Sequence, residues 1–397
     1  MRPVAPCPRC GRPSAAPGNG STCGGFDCLY HHFAGSPPPQ EPGEPRALPW
    51  SDPGEVARIA VVRPGRLGDL LLAVPGLRAL RRGFPRAEIT LIAQPWAAEL
   101  ARRLPWVDRI VPLGEPAGDW ESWRHDGAIQ HTLNDASSSR YDLVLQLQGD
   151  DPDHARLALA LGGRATAGFC RDADVGRSFL RLLRMSPREP EILRVLRLAH
   201  SLGVSPAGVH LEFPLLPEDL EELVAIPELK ELPVHHPVVA MHAGARAPAR
   251  RWPADRFAEL AALLHRRWGA TLLLVGGPDE ATLSEEVLHA SGAPGLNLAG
   301  RLSLGGLAAL LARVDLFVGN DSGPAQLAAA LAPRSVRIIG PANPRRWAPL
   351  DRDRHRTVHR PVECSPCEHW ECPIDHRCLR WVAVEEVWGE IEEVMGE

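Results

Sequence analysis

The stretch Val318-Gly-Asn-Asp-Ser-Gly-Pro-Ala-Gln-Leu-Ala-Ala-Ala-Leu331 narrows the choice of fold most. An apolar strand end runs through a Gly-rich turn into a helix of small residues. Pro324 suits a first helical position, so Gly323 or Ser322 would cap that helix and its free N–H groups would face whatever sits above the strand. Such a helix end receives phosphate. Because several strand-and-helix alternations precede the stretch, its crevice belongs at the carboxyl ends of a parallel sheet, where open α/β folds bind ligands. Asp321 is the odd residue there. A carboxylate beside a phosphate repels it unless it is aimed elsewhere, and the hydroxyls of a sugar are a suitable target; the alternative is a turn Asp that caps its own helix.

With 397 residues, 44% of them apolar, the chain has material for two domains, or three if a small one is appended. Its formal charge of −5 argues against a general nucleic-acid binder. The segment Cys7 to Phe33 also lacks an extended basic and aromatic track for a single strand. Lys230 is the only lysine, so an Arg where a Lys would serve says little about altered function. No apolar run approaches the roughly 18 to 20 residues of a membrane span, and Met1 to Leu48 lacks the apolar core of a signal peptide. The expected location is the cytoplasm, with at most peripheral contact at the inner membrane.

Eight of the nine cysteines fall into two quartets. Cys7, Cys10, Cys23 and Cys28 form C-x2-C-x12-C-x4-C, and Cys364, Cys367, Cys372 and Cys378 form C-x2-C-x4-C-x5-C. In a reducing cytosol such spacings are metal sites more often than disulfides. The first resembles a zinc ribbon, in which tetrahedral sulfur coordination would replace the core that so short a segment lacks. The second could hold Zn or Fe, or pack as reduced thiols in a small apolar cluster. Cys170 stands apart and reads as a buried small residue.

Residues 1–33 thus form a ribbon-like segment and 34–54, rich in Pro, Gly and Glu, a linker. An α/β pattern fills 55–215. The strand Arg58 to Val62 leads through Arg63-Pro-Gly-Arg-Leu-Gly-Asp69 into a helix from Leu70 to Arg82, and further strands run near Glu88 to Ala93, Arg109 to Leu113 and Tyr141 to Leu147. Asp69 opens its helix, either as a catalytic group at a strand's carboxyl end or as a partner of the helix dipole. Residues 114–140 read as a polar excursion. Arg78, Arg81, Arg82, Arg177, Arg181 and Arg184 either field an anionic acceptor or form solvated helix faces. The pattern restarts over 236–345 with Pro237 to His242, Ala270 to Val275 and Asp315 to Val318 as strands. Residues 346–397 return across the molecule and end in an amphipathic helix near Val384 to Val394.

Three ordered motifs, Arg63 to Leu80, Arg250-Arg-Trp-Pro-Ala-Asp-Arg-Phe257 and Gly319-Asn-Asp-Ser-Gly-Pro324, resemble glycosyltransferase family 9, the lipopolysaccharide heptosyltransferases. The likeness runs from residue 57 to 397. The ending Cys364-Ser-Pro-Cys through Cys378-Leu379 is similar to the heptosyltransferase II branch, and the first fifty residues fall outside the likeness. The resemblance implies a GT-B fold, two Rossmann-like domains facing across a cleft. It implies inverting transfer of heptose from ADP-heptose to a hydroxyl of a lipopolysaccharide-core-like or other glycan, with no cofactor required. By position, Asp69 matches the general base and Arg66 is the neighbour placed to orient it. Arg250 matches a phosphate-binding Lys, His242 and Gly244 a loop closing on the diphosphate, and Asp321, Ser322 and Gly323 the donor loop. Gln326 stands where the family commonly carries His, and Ala325 replaces a bulkier residue, which leaves the sugar open. Two other readings stay in view. One is a protein heptosyltransferase of the autotransporter-modifying kind, with the N-terminal knuckle docking its protein partner; the other is a nucleotide-sugar-binding module without turnover.

Overall fold

A computed structural model of the chain describes residues 26–35, 38–39, 46–114, 118–231, 236–331, 333–367 and 369–396. It divides into two compact units, Met1–His210 and Leu211–Glu397. Each is built on a six-stranded sheet whose strands are all parallel.

In the first unit the strands are β1 (Arg58–Val62), β2 (Glu88–Ala93), β3 (Arg109–Pro112), β4 (Leu143–Gln146), β5 (Ala165–Phe169) and β6 (Arg181–Leu183). Their order across the sheet is β3-β2-β1-β4-β5-β6. The central strands read as near-continuous apolar runs because helices cover both faces, and Ile59 to Val62 are fully buried. The chain winds outward from β1 to β3 and then returns to the other side of β1, where Val62 stands opposite Gln146 of β4. That reversal opens a crevice at the carboxyl ends of β1 and β4.

The helix Leu67–Gly83 begins three residues earlier than its apolar pattern indicates. The reason is local: the Asp69 carboxylate accepts the Arg66 N–H at 2.8 Å and so caps the first turn. The same helix crosses Glu191–Ser201 closely at Gly76, where a Cβ would lie 2.2 Å from Val195 Cγ1. Residues 114–140 are a correction to the polar-excursion reading, since Trp120–Trp123 and Gly127–Ser137 are helices. Asp119 and Asp126 cap them, and Trp123, Ile129, Leu133 and Ala136 fall at helical spacing into one apolar cluster.

The second unit repeats the plan with β7 (Val238–His242), β8 (Thr271–Leu274), β9 (Gly295–Asn297), β10 (Leu316–Asn320), β11 (Arg334–Ile339) and β12 (His355–His359). The order is β12-β11-β10-β7-β8-β9, so this sheet reverses between β7 and β10, with His242 opposite Gly319. The segment 346–397 contributes to the core of this unit. β12 is an edge strand, and Val384, Val387, Ile391 and Val394 of the helix Val384–Met395 join the core formed by β7, β10 and β11. No helix among the described residues is long and apolar enough to cross a membrane.

Of the N-terminal quartet, Cys7, Cys10 and Cys23 lie outside the described residues. Cys28 lies on a helix, Phe26–Ala34, so the zinc-ribbon reading gains no support. That helix packs on Glu191–Ser201: Phe26 stacks on His200 with ring centroids 4.6 Å apart, and Tyr30 is 2% exposed.

Candidate functional site

Each sheet brings sequence-predicted residues to its reversal point. In the first unit, the loop 63–66 leaves β1 and delivers Asp69 at the start of its helix, with the side chain 18% exposed. The loop has little slack. A Cβ on Gly65 would lie 2.5 Å from Gln148 Oε1 and 2.7 Å from both Asp69 Cβ and Asp69 Oδ2, so only glycine lets the backbone pass the carboxylate.

Arg66 donates its backbone N–H to Asp69. The guanidinium beside the carboxylate belongs to Arg63, whose Nη2 is 3.7 Å from Asp69 Oδ1. Arg63 is 1% exposed, donates from Nε and Nη2 to the Asp69 carbonyl at 3.2 and 3.0 Å, and pairs with Glu191 Oε1 at 2.9 Å. Sequence reasoning gave Arg63 only a place in the loop, with no role of its own. A charged residue directly after four buried apolar ones was the available signal.

The arginines considered for an anionic acceptor are largely occupied within the unit. Arg78 is 5% exposed and donates to the Ala207 and His210 carbonyls, at 3.0 and 2.9 Å. Arg81 pairs with Asp108 and bonds the Ala87 carbonyl at 2.6 Å. Arg181 Nε donates to the Ser201 carbonyl at 2.9 Å. Cys170, 7% exposed, donates its thiol to the Asp172 carbonyl at 3.4 Å, and burial pushes that thiol up.

In the second unit, His242 ends β7 and is 2% exposed. Its Nδ1 lies 3.0 Å from Ser322 Oγ and its Nε2 3.0 Å from Glu280 Oε2. Burial pushes the Glu280 carboxyl up, but bonds from His242 and the Gly277 N–H, with the nearby Arg251 charge, outweigh it and hold the group below the ordinary glutamate range. A carboxylate offers only acceptor oxygens, so the Glu280 contact is one in which His242 Nε2 donates, while Nδ1 faces the Ser322 hydroxyl. Gly244 is what admits Glu280: a Cβ there would fall 1.9 Å from its Oε1.

Asn320, at the end of β10, fastens the loop after β7. Its Nδ2 donates to the Ala243 and Gly244 carbonyls at 2.8 and 3.1 Å, while its Oδ1 accepts the Trp252 N–H at 2.9 Å. Asp321 follows, its side chain 7% exposed between two arginines, with Oδ2 3.5 Å from Arg250 Nη1 and Oδ1 3.5 Å from Arg337 Nη1. Ser322 and Gly323 lead directly into the helix Gly323–Leu331. All six residues expected on the donor side therefore lie between the last residue of β7 and Arg250, or between the end of β10 and the first residue of the helix that follows it. Gln326 is turned to a structural use, donating to the Trp347 carbonyl at 3.0 Å. Glu280 and Arg337 escaped the sequence reading, although an arginine inside the apolar run of β11 was a signal.

Cys364, Cys367, Cys372 and Cys378 are free thiols. Burial first, then the neighbouring Cys372, Cys364 and Cys367, push the Cys378 thiol up to about 11. The expectation of Zn or Fe here gains no support: among the described residues no group of three or more His, Cys, Asp or Glu is arranged to hold a metal ion. Cys378 joins Leu379 and Val382 in the apolar core, whereas Cys364 is exposed. What the segment does hold is the turn that carries Arg250. The Ala249 N–H donates to the Trp370 carbonyl at 3.1 Å, and His376 Nε2 meets the Ala249 carbonyl at 2.7 Å.

Residues 131–377 match the profile of Glycosyltransferase family 9 (heptosyltransferase). The lipopolysaccharide heptosyltransferase 2 of Salmonella typhimurium is 29% identical over 311 residues, 74% of this chain and 85% of that protein. Among solved structures, the Escherichia coli ADP-heptose lipopolysaccharide heptosyltransferase II gives a TM-score of 0.65 at 22% identity, covering 85% of this chain and 98% of that one. The glycosyl transferase family 9 protein of Veillonella parvula gives 0.69 at 22% identity, covering 87% and 98%. At such identity the two structures speak for the fold, which is the α/β class of two Rossmann-like units expected of GT-B proteins.

Proposed function

Because this chain belongs to glycosyltransferase family 9, the heptosyltransferases, it is a glycosyltransferase, and we propose that it moves a heptose from ADP-heptose to a glycan hydroxyl. The acceptor in this reading is a lipopolysaccharide-core-like glycan presented at the inner face of the membrane. What carries the reading is the Asp69 carboxylate, fixed by the Arg66 N–H where the first sheet reverses, with part of its surface open.

Asp69 takes the proton of the acceptor hydroxyl while that oxygen attacks the anomeric carbon. The bond from that carbon to the diphosphate breaks on the opposite face, so configuration inverts and ADP leaves with the bonding pair. Negative charge grows on the diphosphate. Arg250, half exposed, supplies positive charge there, and the amides of Ser322 and Gly323 at a helix start supply dipoles. Asp321 is kept from opposing that charge by its two arginines and is left to accept hydroxyls of the sugar. His242 and Gly244 complete the diphosphate loop, with the imidazole oriented by Glu280.

Calorimetric titration with ADP, UDP and GDP tests the donor side, with ADP expected to bind best. Asp69→Asn should keep that ADP affinity and lose transfer by roughly 100-fold or more, the usual weight of a general base. Preference for UDP or GDP would overturn the heptose assignment. An active Asp69→Asn protein would remove the base.

A further inference from the structure

The first unit contains a second set of charged groups, none of them among the donor or base residues, and all of them buried. Glu189, Glu191 and Arg194 are each 1% exposed and Arg197 is 4% exposed. Carboxylates and guanidiniums taken this far out of water persist only when paired, and their pairing here is sequential. Arg197 clasps Glu189 with both ends of its fork, Nε to Oε1 at 2.7 Å and Nη2 to Oε2 at 2.9 Å. Arg194 lies between the two acids, with Nε 3.7 Å from Glu189 Oε2 and Nη1 bonded to Glu191 Oε2. The other oxygen of Glu191 takes Arg63 Nη2 at 2.9 Å, and the same nitrogen is 3.7 Å from Asp69 Oδ1. The line of alternating charge therefore ends at the carboxylate assigned above as the base.

Its other end is Tyr30. This side chain comes from the helix Phe26–Ala34, outside the part of the chain that the family profile matches, and its hydroxyl is hydrogen-bonded to Glu189. We propose that Glu189, Arg194 and Glu191 are positioning residues for Asp69, and that the N-terminal helix sets their state through the Tyr30 hydroxyl. The proposal rests on Asp69 being the base.

The physical link is competition for Arg63. While Glu189 is ionised it occupies Arg197 and balances Arg194, so Glu191 keeps its hold on Arg63. If Glu189 takes a proton, Arg194 draws more strongly on Glu191. Arg63 then turns its charge toward Asp69, and a carboxylate closer to a guanidinium is a weaker base. Tyr30 opposes that protonation by donating to the carboxylate. Burial pushes Glu189 up to about 7, against the pull of Arg194 and the Tyr30 bond and with the push of Glu191, so the switch falls within a working pH range. The charged and titratable groups facing Glu189 are Tyr30 from the N-terminal helix and Glu191, Arg194 and Arg197 from Glu191–Ser201. Arg197 also donates to the Arg184 carbonyl at 2.6 Å and lies 5.8 Å over the Phe169 ring, which keeps its fork in place.

The test is the pH profile of kcat, followed as ADP release from ADP-heptose with lipopolysaccharide-core oligosaccharide as acceptor. It is run on the full chain and on Tyr30→Phe, Glu189→Gln and Asp69→Asn, with ADP affinity measured for each. Tyr30→Phe keeps the ring beside Phe26 and removes only the donor. Its acidic limb should move to higher pH by about one unit, the scale of a single hydrogen bond to a carboxylate. Glu189→Gln mimics the protonated acid, so its kcat should stay low and show no rise through that range. ADP affinity should be unchanged in both. Unmoved limbs in the two variants, with or without lower melting temperatures, would overturn the coupling while an inactive Asp69→Asn leaves the base in place. Full activity in Asp69→Asn would remove both.

Discussion

Arg337 Nη1 lies 3.5 Å from Asp321 Oδ1, and the two side chains are 2% and 7% exposed. Arg337 also donates to the Trp347 carbonyl at 2.8 Å and the Ala325 carbonyl at 2.9 Å, so one guanidinium ties the donor loop to the chain after β11. Arg250, the other partner of Asp321, is 41% exposed. The two arginines should therefore separate by assay. Arg337→Met leaves a buried carboxylate with a single, solvated partner and should cost about 3 kcal/mol in urea unfolding. Arg250→Ala should cost less than about 1 kcal/mol, because the lost pair is screened by water. Its effect should appear as weaker ADP binding.

Gly65 separates the backbone from the base. The methyl of Gly65→Ala would need the space of Gln148 Oε1 and Asp69 Oδ2, so it would press the carboxylate off the Arg66 N–H that holds it. A displacement on the order of 1 Å at a reacting group costs roughly 100-fold in rate. Turnover should fall on that scale while calorimetric ADP affinity stays at the level of the parent. A loss of ADP binding in this variant would mean that the two loops are not independent.

How far the chain could be read beforehand follows from sequence distance. β1, β2, β7 and β8 announce themselves as short apolar runs, and Asp69, His242 and Asp321 as polar residues where such runs stop, because each depends only on its neighbours. The partners that fix them are remote. Arg63 meets Glu191 across 128 positions, His242 meets Glu280 across 38, and Asn320 holds the Ala243 carbonyl across 77. Nothing local to Glu191, in a helix with arginines three and six places on, distinguishes it from a solvated acid until that helix is laid against Leu67–Gly83. The helices within 114–140 were missed for a different reason: turn-forming aspartates and glycines punctuate the stretch, yet Asp119 and Asp126 are caps.

His376 lies 127 residues from the turn that it supports, with Nε2 2.7 Å from the Ala249 carbonyl. Since Ala249 immediately precedes Arg250, loss of the imidazole should loosen the guanidinium that meets the diphosphate. His376→Ala should raise the KM for ADP-heptose several-fold and change kcat less. The opposite split, with kcat lost and KM kept, would place the residue in the chemical step and contradict the support role.

Glu280 gives a dependence on pH whose sign is fixed. Burial alone would raise its carboxyl, but the bonds from His242 and the Gly277 N–H, with Arg251 nearby, leave it below the ordinary 4.5 in the folded chain. A group depressed by folding stabilises the fold at pH above its unfolded value, and that contribution drains away as pH falls through the lower folded value. Glu280→Gln lacks the contribution throughout. The urea midpoint of the variant should therefore lie below that of the parent near neutral pH, and the two should converge once the pH has fallen below the depressed folded-state value. A gap that stayed constant with pH would show that the glutamate serves by shape alone. Because the same carboxylate holds the His242 ring at Nε2, the variant should also bind ADP more weakly at neutral pH, where an amide can meet that nitrogen only with a neutral oxygen.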